Sequence, residues 1–125
     1  MRILADSHVL LWWLDDPKRI ALPARAAIAD PANAVFFSAA SIWEIGLKVG
    51  KGKLRIDGDV VSALQSDGFE PLPITMAHAA RSLTLPDTHG DPFDRMLIAQ
   101  ALADGLLLAT RDRLILQYDV PVLEA

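Results

Sequence analysis

The sequence predicts a single α/β domain: a mostly parallel sheet of about five short strands with helices on both faces. Short apolar stretches such as RILA (2–5) and AVFFS (34–38) alternate along the chain with segments of helical pattern. This alternation is typical of parallel sheets whose strands are joined by helical crossovers. LLLAT (106–110) is continuously apolar up to its threonine, as expected of a strand buried on both faces. The length of 125 residues suits one domain, which is expected to span 1–125.

The predicted helices are bounded by residues that commonly start and end helices. Pro23 lies near the start of the second helix, and Ser38 and Gly50 lie at the two ends of the third. Asp59 and Thr75 are N-cap candidates for the next two helices. In chain order, the expected helices are SHVLLWWL (7–14), LPARAAIAD (22–30), SAASIWEIGLKVG (38–50), DVVSALQSDG (59–68), TMAHAARSL (75–83) and PFDRMLIAQALAD (92–104).

Two further extended segments complete the predicted sheet. FEPLPI (69–74) contains two prolines, which lack the backbone N–H that an inner strand needs, so this segment is a poor inner strand. VPVLEA (120–125) is expected to add a last short strand. Ligands of open parallel sheets bind beyond the carboxyl ends of the strands, so a functional site is expected at that edge.

Composition excludes several kinds of protein. The formal charge of −4, from 12 basic and 16 acidic residues, argues against binding of nucleic acid by a simple basic patch. It leaves a nuclease open, because clustered acids that hold cations lower the formal charge. The absence of cysteine excludes a disulfide framework and a thiolate metal site. No apolar run approaches the ~18 residues of a membrane span, and the first residues do not form a signal peptide, so we expect a cytoplasmic protein without membrane association.

Four acids from separate segments fall where such a site is expected. Asp6 directly follows the first strand, and Asp112 follows LLLAT after one arginine. Glu44 lies on the helix entered from the second strand, and Asp94 lies in the first turn of the helix before LLLAT. The four carboxylates could therefore converge on one crevice at the carboxyl ends of the strands.

Three of these acids also have a purely structural interpretation. Asp6 and Asp112 each stand where an acid could cap the helical turn that follows it. Helical projection places Glu44 on a polar face, where solvation and an ion pair with Lys48, four residues later, would explain it.

Asp94 is less easily explained by helix formation. With Asp91 at the N-cap and Pro92 at the first helical position, a second acid is not needed to start the helix. Helical projection aligns Asp94 with Leu97 and Ile98, on the apolar face of the helix. A carboxylate there is partly desolvated and needs a partner. No lysine or arginine lies on that face of the helix, so the sequence favours a bound cation as the partner of Asp94.

The chemistry of four carboxylates indicates which cation. Two unit charges about 4 Å apart repel by ~4 kcal/mol at an effective dielectric constant of ~20, so a proton or a cation must relieve the site. Oxygen ligands without cysteine favour Mg²⁺ or Mn²⁺. Because Mg²⁺ often completes its shell with water and phosphate oxygens, the pattern points to phosphodiester chemistry.

Four stretches also carry a family resemblance: ILADSHVLLWWL, SAASIWEIGLKVGKGKL, HGDPFDRMLIAQA and LLLATRD. In this order and spacing, over nearly the whole chain, the sequence resembles the PIN-domain ribonucleases, specifically the VapC-like toxins of type II toxin–antitoxin pairs. The resemblance implies a single PIN-like domain. It also implies that the family's acidic metal ligands, which are catalytic, are Asp6, Glu44, Asp94 and Asp112 here, that Thr110 is a polar site residue, and that Asp91 is a cap first and an outer ligand second.

The same resemblance implies a function. It is the hydrolysis of RNA phosphodiester bonds by a metal-dependent endoribonuclease, with Mg²⁺ or Mn²⁺ as cofactor and RNA as substrate. The implied partners are a small cognate antitoxin protein and a second copy of the chain, with VLLWWLDD (9–16) and SIWEIGLKVG (41–50) as contact surfaces. Candidate contacts to the RNA backbone are Lys48, Lys51, Arg95 and Arg111.

Two other functions remain as alternatives. A receiver-like signalling domain is also a small parallel α/β fold that binds Mg²⁺, but AVFFS ends in Ser38 where that class needs a phosphoacceptor aspartate. A catalytically idle binding module with a PIN-like fold is the second alternative, which metal affinity would distinguish from the enzyme.

The histidines and tryptophans have simpler interpretations. We expect His8 to be packed or hydrogen-bonded and His78 to lie on a helix surface, while His89 lies in a loop that could approach substrate. The three tryptophans are expected in the core or in a self-association surface: Trp12, Trp13 and Trp43.

Overall fold

The computed structural model describes residues 1–125 and contains one five-stranded parallel sheet. The strand order is β3-β2-β1-β4-β5, and every neighbouring pair is parallel. The predicted α/β fold is therefore confirmed. The strands are β1 (Arg2–Ala5), β2 (Ala34–Ser38), β3 (Glu70–Leu72), β4 (Leu107–Thr110) and β5 (Val122–Glu124).

Six helices connect the strands, close to the predicted positions. Two single turns of 3₁₀ helix, Pro17–Arg19 and Ile115–Gln117, complete the structure. None of the helices is long and apolar enough to cross a membrane. The helices are α1 (Ser7–Asp15), α2 (Leu22–Ala29), α3 (Ala39–Gly50), α4 (Val60–Ser66), α5 (Met76–Ser82) and α6 (Pro92–Asp104).

The two faces of the sheet bury separate apolar clusters. In β1, Ile3 and Ala5 belong to one cluster and Leu4 to the other, as expected when successive side chains point to opposite faces. The first cluster packs the sheet against α1, α2 and α4, and the second packs it against α6. Because β1 is the central strand, its three apolar side chains are fully buried.

Strand order determines where a ligand can bind. The chain proceeds outward from β1 through β2 to β3, and then returns to place β4 on the other side of β1. The reversal leaves a crevice beyond the carboxyl ends of β1 and β4, the usual ligand position in open α/β sheets. β3 is an edge strand of three residues, which suits the prolines in this segment.

The predicted caps are present, and the cap of α5 involves a histidine that was expected elsewhere. Ser38, Asp59 and Thr75 each accept backbone hydrogen bonds at the starts of α3, α4 and α5. His78, expected on a helix surface, is instead only 2 % exposed. Its Nδ1 accepts the Thr75 N–H, and its Nε2 lies 2.9 Å from Oδ2 of Asp104 on α6, so the packing of α5 on α6 buries it.

The aromatic residues divide between core and surface. Trp12 and Trp13 are half-buried against the first apolar cluster, whereas Trp43 is 62 % exposed. Trp43 meets Phe93 of α6 edge-on, with 5.2 Å between the ring centroids. His8 is exposed, and its expected packing is limited to ring contact with Trp12 at 5.9 Å.

Two glycines should respond oppositely to alanine. Gly105 ends α6 in the left-handed conformation, with φ of 66°, so Gly105→Ala should lower the free energy of unfolding by about 1 kcal/mol. Gly46 lies inside α3 without positive φ, so Gly46→Ala should raise it by about 0.5–1 kcal/mol. No atom lies within 4 Å of a Cβ added at either position, so backbone conformation alone decides the sign. Urea unfolding tests this, and a stabilising Gly105→Ala would contradict the assigned helix end.

Candidate active site

Asp6 lies at the carboxyl end of the central strand and is only 4 % exposed. Its Oδ1 accepts the Val9 N–H at 2.9 Å and so caps α1. Its Oδ2 accepts the hydroxyl of Thr110, the last residue of β4, at 2.5 Å. Burial raises the pKa of Asp6, although both hydrogen bonds oppose the shift. The cap and site interpretations of Asp6 are thus compatible, because each uses a different oxygen.

Thr110 connects two of the acids. Its Oγ1 donates to Asp6 and accepts the N–H of Asp112 at 3.1 Å. Asp112 in turn caps the turn after β4, since its Oδ1 accepts the Leu114 N–H at 2.8 Å. The predicted polar residue at position 110 therefore spans the neighbouring ends of β1 and β4.

Glu44 is buried, at 7 % exposure, so the expectation that solvation alone explains it is wrong. The start of α1 covers it, and Ser7 donates its hydroxyl to Oε1 at 2.6 Å. The predicted ion pair with Lys48 is present, with 3.3 Å between Nζ and Oε2. One turn earlier on the same face of α3, the Ser41 hydroxyl is buried without a hydrogen-bond partner. No sequence signal singled out Ser41.

At the start of α6, the two acids have the separate roles that helix geometry predicts. Asp91 caps the helix, because its Oδ1 accepts the N–H groups of Phe93 at 2.8 Å and Asp94 at 3.3 Å. The side chain of Asp94 is only 17 % exposed, consistent with its alignment on the apolar face. The partner that it requires is present in the protein, and it is His89.

His89 holds two of the acids together. Its Nε2 lies 2.9 Å from Oδ2 of Asp94 and 3.3 Å from Oδ2 of Asp112. One ligand atom from each of these three residues lies within 4.8 Å of the others, a spacing that suits a metal ion. His89 is 7 % exposed, and the sequence predicted it in a loop that could approach substrate, without predicting its contacts with the acids. Its position two residues before the cap Asp91 was the available signal.

The charges on the acids act on one another. Burial, followed by the charge of Asp91, raises the pKa of Asp94 to about 7, and the charges of Asp112 and Glu44 act in the same direction. The pKa of Asp112 is lowered. Its partial burial acts to raise this pKa, but the hydrogen bonds from the Leu114 N–H and from His89 lower it. The charge of Asp112 also acts to raise the pKa of Asp6. The four predicted acids therefore form one electrostatic cluster, the carboxylate site: Asp6, Glu44, Asp94 and Asp112.

Both arginines among the four cations expected at RNA are bound to backbone carbonyls of the protein. Arg95 donates to the backbone carbonyls of Ser82 and Pro86, at 3.1 and 2.7 Å, and so fastens the segment before α6. Arg111 donates to the main-chain oxygen of Ala125 at 2.7 Å, with its guanidinium 4.2 Å from the centroid of the Trp12 ring. These contacts explain both arginines without RNA. Lys51 is exposed after the end of α3.

The donor set fits a hard divalent cation. Its anionic groups are carboxylates, which Mg²⁺ and Mn²⁺ prefer, and His89 is the one histidine among them. The buried Ser41 hydroxyl has no protein partner, and the pKa of Asp94 is raised by burial and then by its acidic neighbours. A hydrated cation would relieve the remaining repulsion among the acids.

Asp94→Asn should stabilise the metal-free protein at pH 8, and less so at pH 4.5. Since the folded-state pKa is raised above 3.8 to about 7, the folded protein holds this proton more tightly, and stability falls as pH rises between those values. Asparagine removes that penalty, so the gain at pH 8 should be on the order of 1–3 kcal/mol. Urea unfolding in EDTA at both pH values measures it. Asp119→Asn, at an exposed acid without hydrogen bonds, is the control, and equal gains at both pH values would contradict the prediction.

Comparisons with known proteins show the fold and the family of the chain. Two chains of solved complexes share the fold: one of DNA-bound VapBC from Salmonella typhimurium (TM-score 0.71, 12% identity, 98% of this chain and 97% of that chain) and one of a toxin-antitoxin complex from Klebsiella pneumoniae (0.66, 19%, 98% and 96%). The chain is 33% identical over 114 residues to Ribonuclease VapC22 of Mycobacterium tuberculosis, covering 89% of this chain and 87% of that protein. The sequence model of the PIN domain matches residues 3–121. The chain therefore belongs to the PIN domain family.

Proposed function

We propose that this protein is a divalent-metal-dependent endoribonuclease that acts as the toxin of a toxin–antitoxin pair and hydrolyses RNA at the carboxylate site. The observation that carries the proposal is the chain of contacts joining acids from four separate segments. Thr110 links Asp6 to Asp112, and His89 links Asp112 to Asp94. Glu44 joins this chain of contacts by accepting a hydrogen bond from Ser7, the residue after Asp6.

Similarity supports the same activity. The relative that shares 33% of its residues with this chain is named a ribonuclease, and it aligns along 89% of this chain. Membership of the PIN domain family argues against the receiver-like alternative, because receiver domains belong to a different family. A catalytically idle PIN module remains an outcome of the activity test below.

The residues of the chain have distinct roles in the proposed reaction. Asp6, Glu44, Asp94 and Asp112 would hold Mg²⁺ or Mn²⁺, which when bound polarises a phosphate and lowers the pKa of a bound water. Thr110 and Ser7 orient two of these carboxylates through 2.5 and 2.6 Å hydrogen bonds. Burial of Asp6 and Glu44 keeps their geometry fixed and limits competition by bulk water.

Two lysines are the proposed contacts to the RNA backbone. Lys48 already lies 3.3 Å from Glu44, so its charge is at the edge of the carboxylate site. Lys51 follows at the end of the same helix and is exposed. Both offer positive charge to phosphates that approach an otherwise acidic site. Cleavage of RNA would place the proposed activity in the cytoplasm.

The proposed partner is a small antitoxin that covers the active-site crevice. The support is similarity to chains of toxin-antitoxin complexes, one of which aligns over 98% of this chain with a TM-score of 0.66. A second copy of the chain is the other proposed partner, and α3 offers the surface for it. Trp43 and Leu47 are 62 % and 41 % exposed and lie one helical turn apart.

Asp6→Asn and Asp94→Asn should each reduce RNA cleavage at least about 100-fold, since each removes a proposed cation ligand. The assay follows end-labelled RNA with Mg²⁺ or Mn²⁺, and excess EDTA should abolish cleavage by the unaltered protein. Asp119→Asn, the exposed control, should cleave normally. Adding the cognate antitoxin should suppress cleavage. Undiminished activity of both site variants, or activity in EDTA, would exclude this function.

Trp43→Ala should weaken self-association about tenfold or more, because exposed aromatic residues dominate many interfaces. Light scattering after size exclusion, over a concentration series, measures the shift from dimer to monomer. Met76→Ala removes a residue that is 89 % exposed on α5 and should leave the series unchanged. A monomeric unaltered protein at every concentration would reject the dimer.

A further inference from the structure

His89 raises a question about the carboxylate site, because it faces two proposed ligands. A histidine beside two aspartates is a common metal-binding set, and its spacing here suits an ion. In that arrangement Nε2 would offer its lone pair to the cation. The hydrogen bonds around the ring determine whether that lone pair exists.

One of these hydrogen bonds defines the tautomer. The backbone N–H of Asp91 donates to Nδ1 of His89 at 3.2 Å, and a backbone amide can only donate. Nδ1 therefore carries a lone pair, and the ring proton of the neutral imidazole lies on Nε2. That proton is donated to Oδ2 of Asp112 at 3.3 Å, and Oδ2 of Asp94 lies 2.9 Å from the same nitrogen. Binding a cation through Nε2 would require Nδ1–H to face the Asp91 N–H, placing two donors against each other.

The backbone of His89 is fixed as well. Its N–H donates to the Tyr118 hydroxyl at 2.8 Å, and that hydroxyl donates to the Pro86 carbonyl at 3.0 Å. Arg95 contacts the same hydroxyl at 3.3 Å and the same carbonyl at 2.7 Å. The loop before α6 is thereby held so that the imidazole stays between the two acids. This fastening gives a structural role to the half-buried Arg95 and the buried Tyr118, which the proposed reaction does not use.

We propose that His89 is a positioning residue: its Nε2–H bonds to Asp112 and its ring lies against Asp94, so that the two acids stay side by side, and it does not bind the cation itself. The proposal rests on the proposed metal-dependent function. It makes the cation site an all-oxygen site, although a nitrogen lies within reach. Each carboxylate oxygen has further lone pairs, so donation from His89 leaves both acids able to bind an ion.

The tautomer can be observed directly in the unaltered protein by ¹⁵N NMR of the histidine rings. We expect His89 protonated at Nε2, both without metal and with saturating Mg²⁺. His78 is the internal reference, because its Nδ1 also accepts a backbone N–H and its Nε2 faces Asp104 on α6. A change of the His89 tautomer, or direct bonding of Nε2 to the ion, would overturn the proposal.

Two variants separate a donor from a ligand. His89→Gln retains an N–H donor near the Nε2 position and should keep Mg²⁺ and Mn²⁺ affinities within about threefold. His89→Leu removes the donor and should weaken both about 10–100-fold, the usual cost of losing a group that orients metal ligands. Calorimetric titrations of Mg²⁺, Mn²⁺ and Co²⁺ test this, with circular dichroism as the check of folding.

The outcomes distinguish this proposal from the function it rests on. If the unaltered protein binds neither Mg²⁺ nor Mn²⁺, the metal-dependent function fails. If it binds them, but His89→Gln loses Co²⁺ affinity far more than Mg²⁺ affinity, His89 is a ligand and the positioning role fails. If His89→Leu does not fold, the NMR measurement on the unaltered protein still decides.

Discussion

Repulsion among four carboxylates at the ends of β1 and β4 is the constraint on which the rest of the site depends. Strand order brings Asp6 and Asp112 together, and α3 and α6 add Glu44 and Asp94. Charges about 4 Å apart in a partly buried site cost several kcal/mol unless they are compensated. The pKa of Asp94 is raised to about 7 by burial first and by the charge of Asp91 next, and the charges of Asp112 and Glu44 add to the shift.

The protein meets this constraint mainly with neutral hydrogen-bond donors. Thr110 donates to Asp6, Ser7 to Glu44 and His89 to Asp112, and Lys48 is the one lysine or arginine paired with the site. Neutral donors orient the carboxylates without cancelling their charge, so the site keeps its attraction for a cation. The nearby arginines are instead bound to backbone carbonyls. Since Asp6 also caps α1, local folding and the charge of the site depend on the same side chain.

Sequence patterns predicted the fold well, because continuous apolar strands and capped helices are local signals. The separation of Asp91 from Asp94 followed from helix geometry, and the structure agrees. Predictions failed where the answer depended on contacts between distant segments. Glu44 looked solvated on its own helix, yet α1 covers it. His89 lies in a loop, as expected, but its contacts with Asp94 and Asp112 depend on the positions of α6 and β4, which no local pattern indicates.

The most direct test of the account is crystallographic. A crystal of this protein soaked in Mn²⁺ should give an anomalous difference peak bounded by carboxylate oxygens of Asp6, Asp94 and Asp112, with Glu44 binding directly or through water. The ion should contact oxygen atoms, with Nε2 of His89 outside bonding distance. The absence of a peak among these acids after a soak at saturating Mn²⁺ would contradict the central claim that their convergence serves to bind a divalent cation.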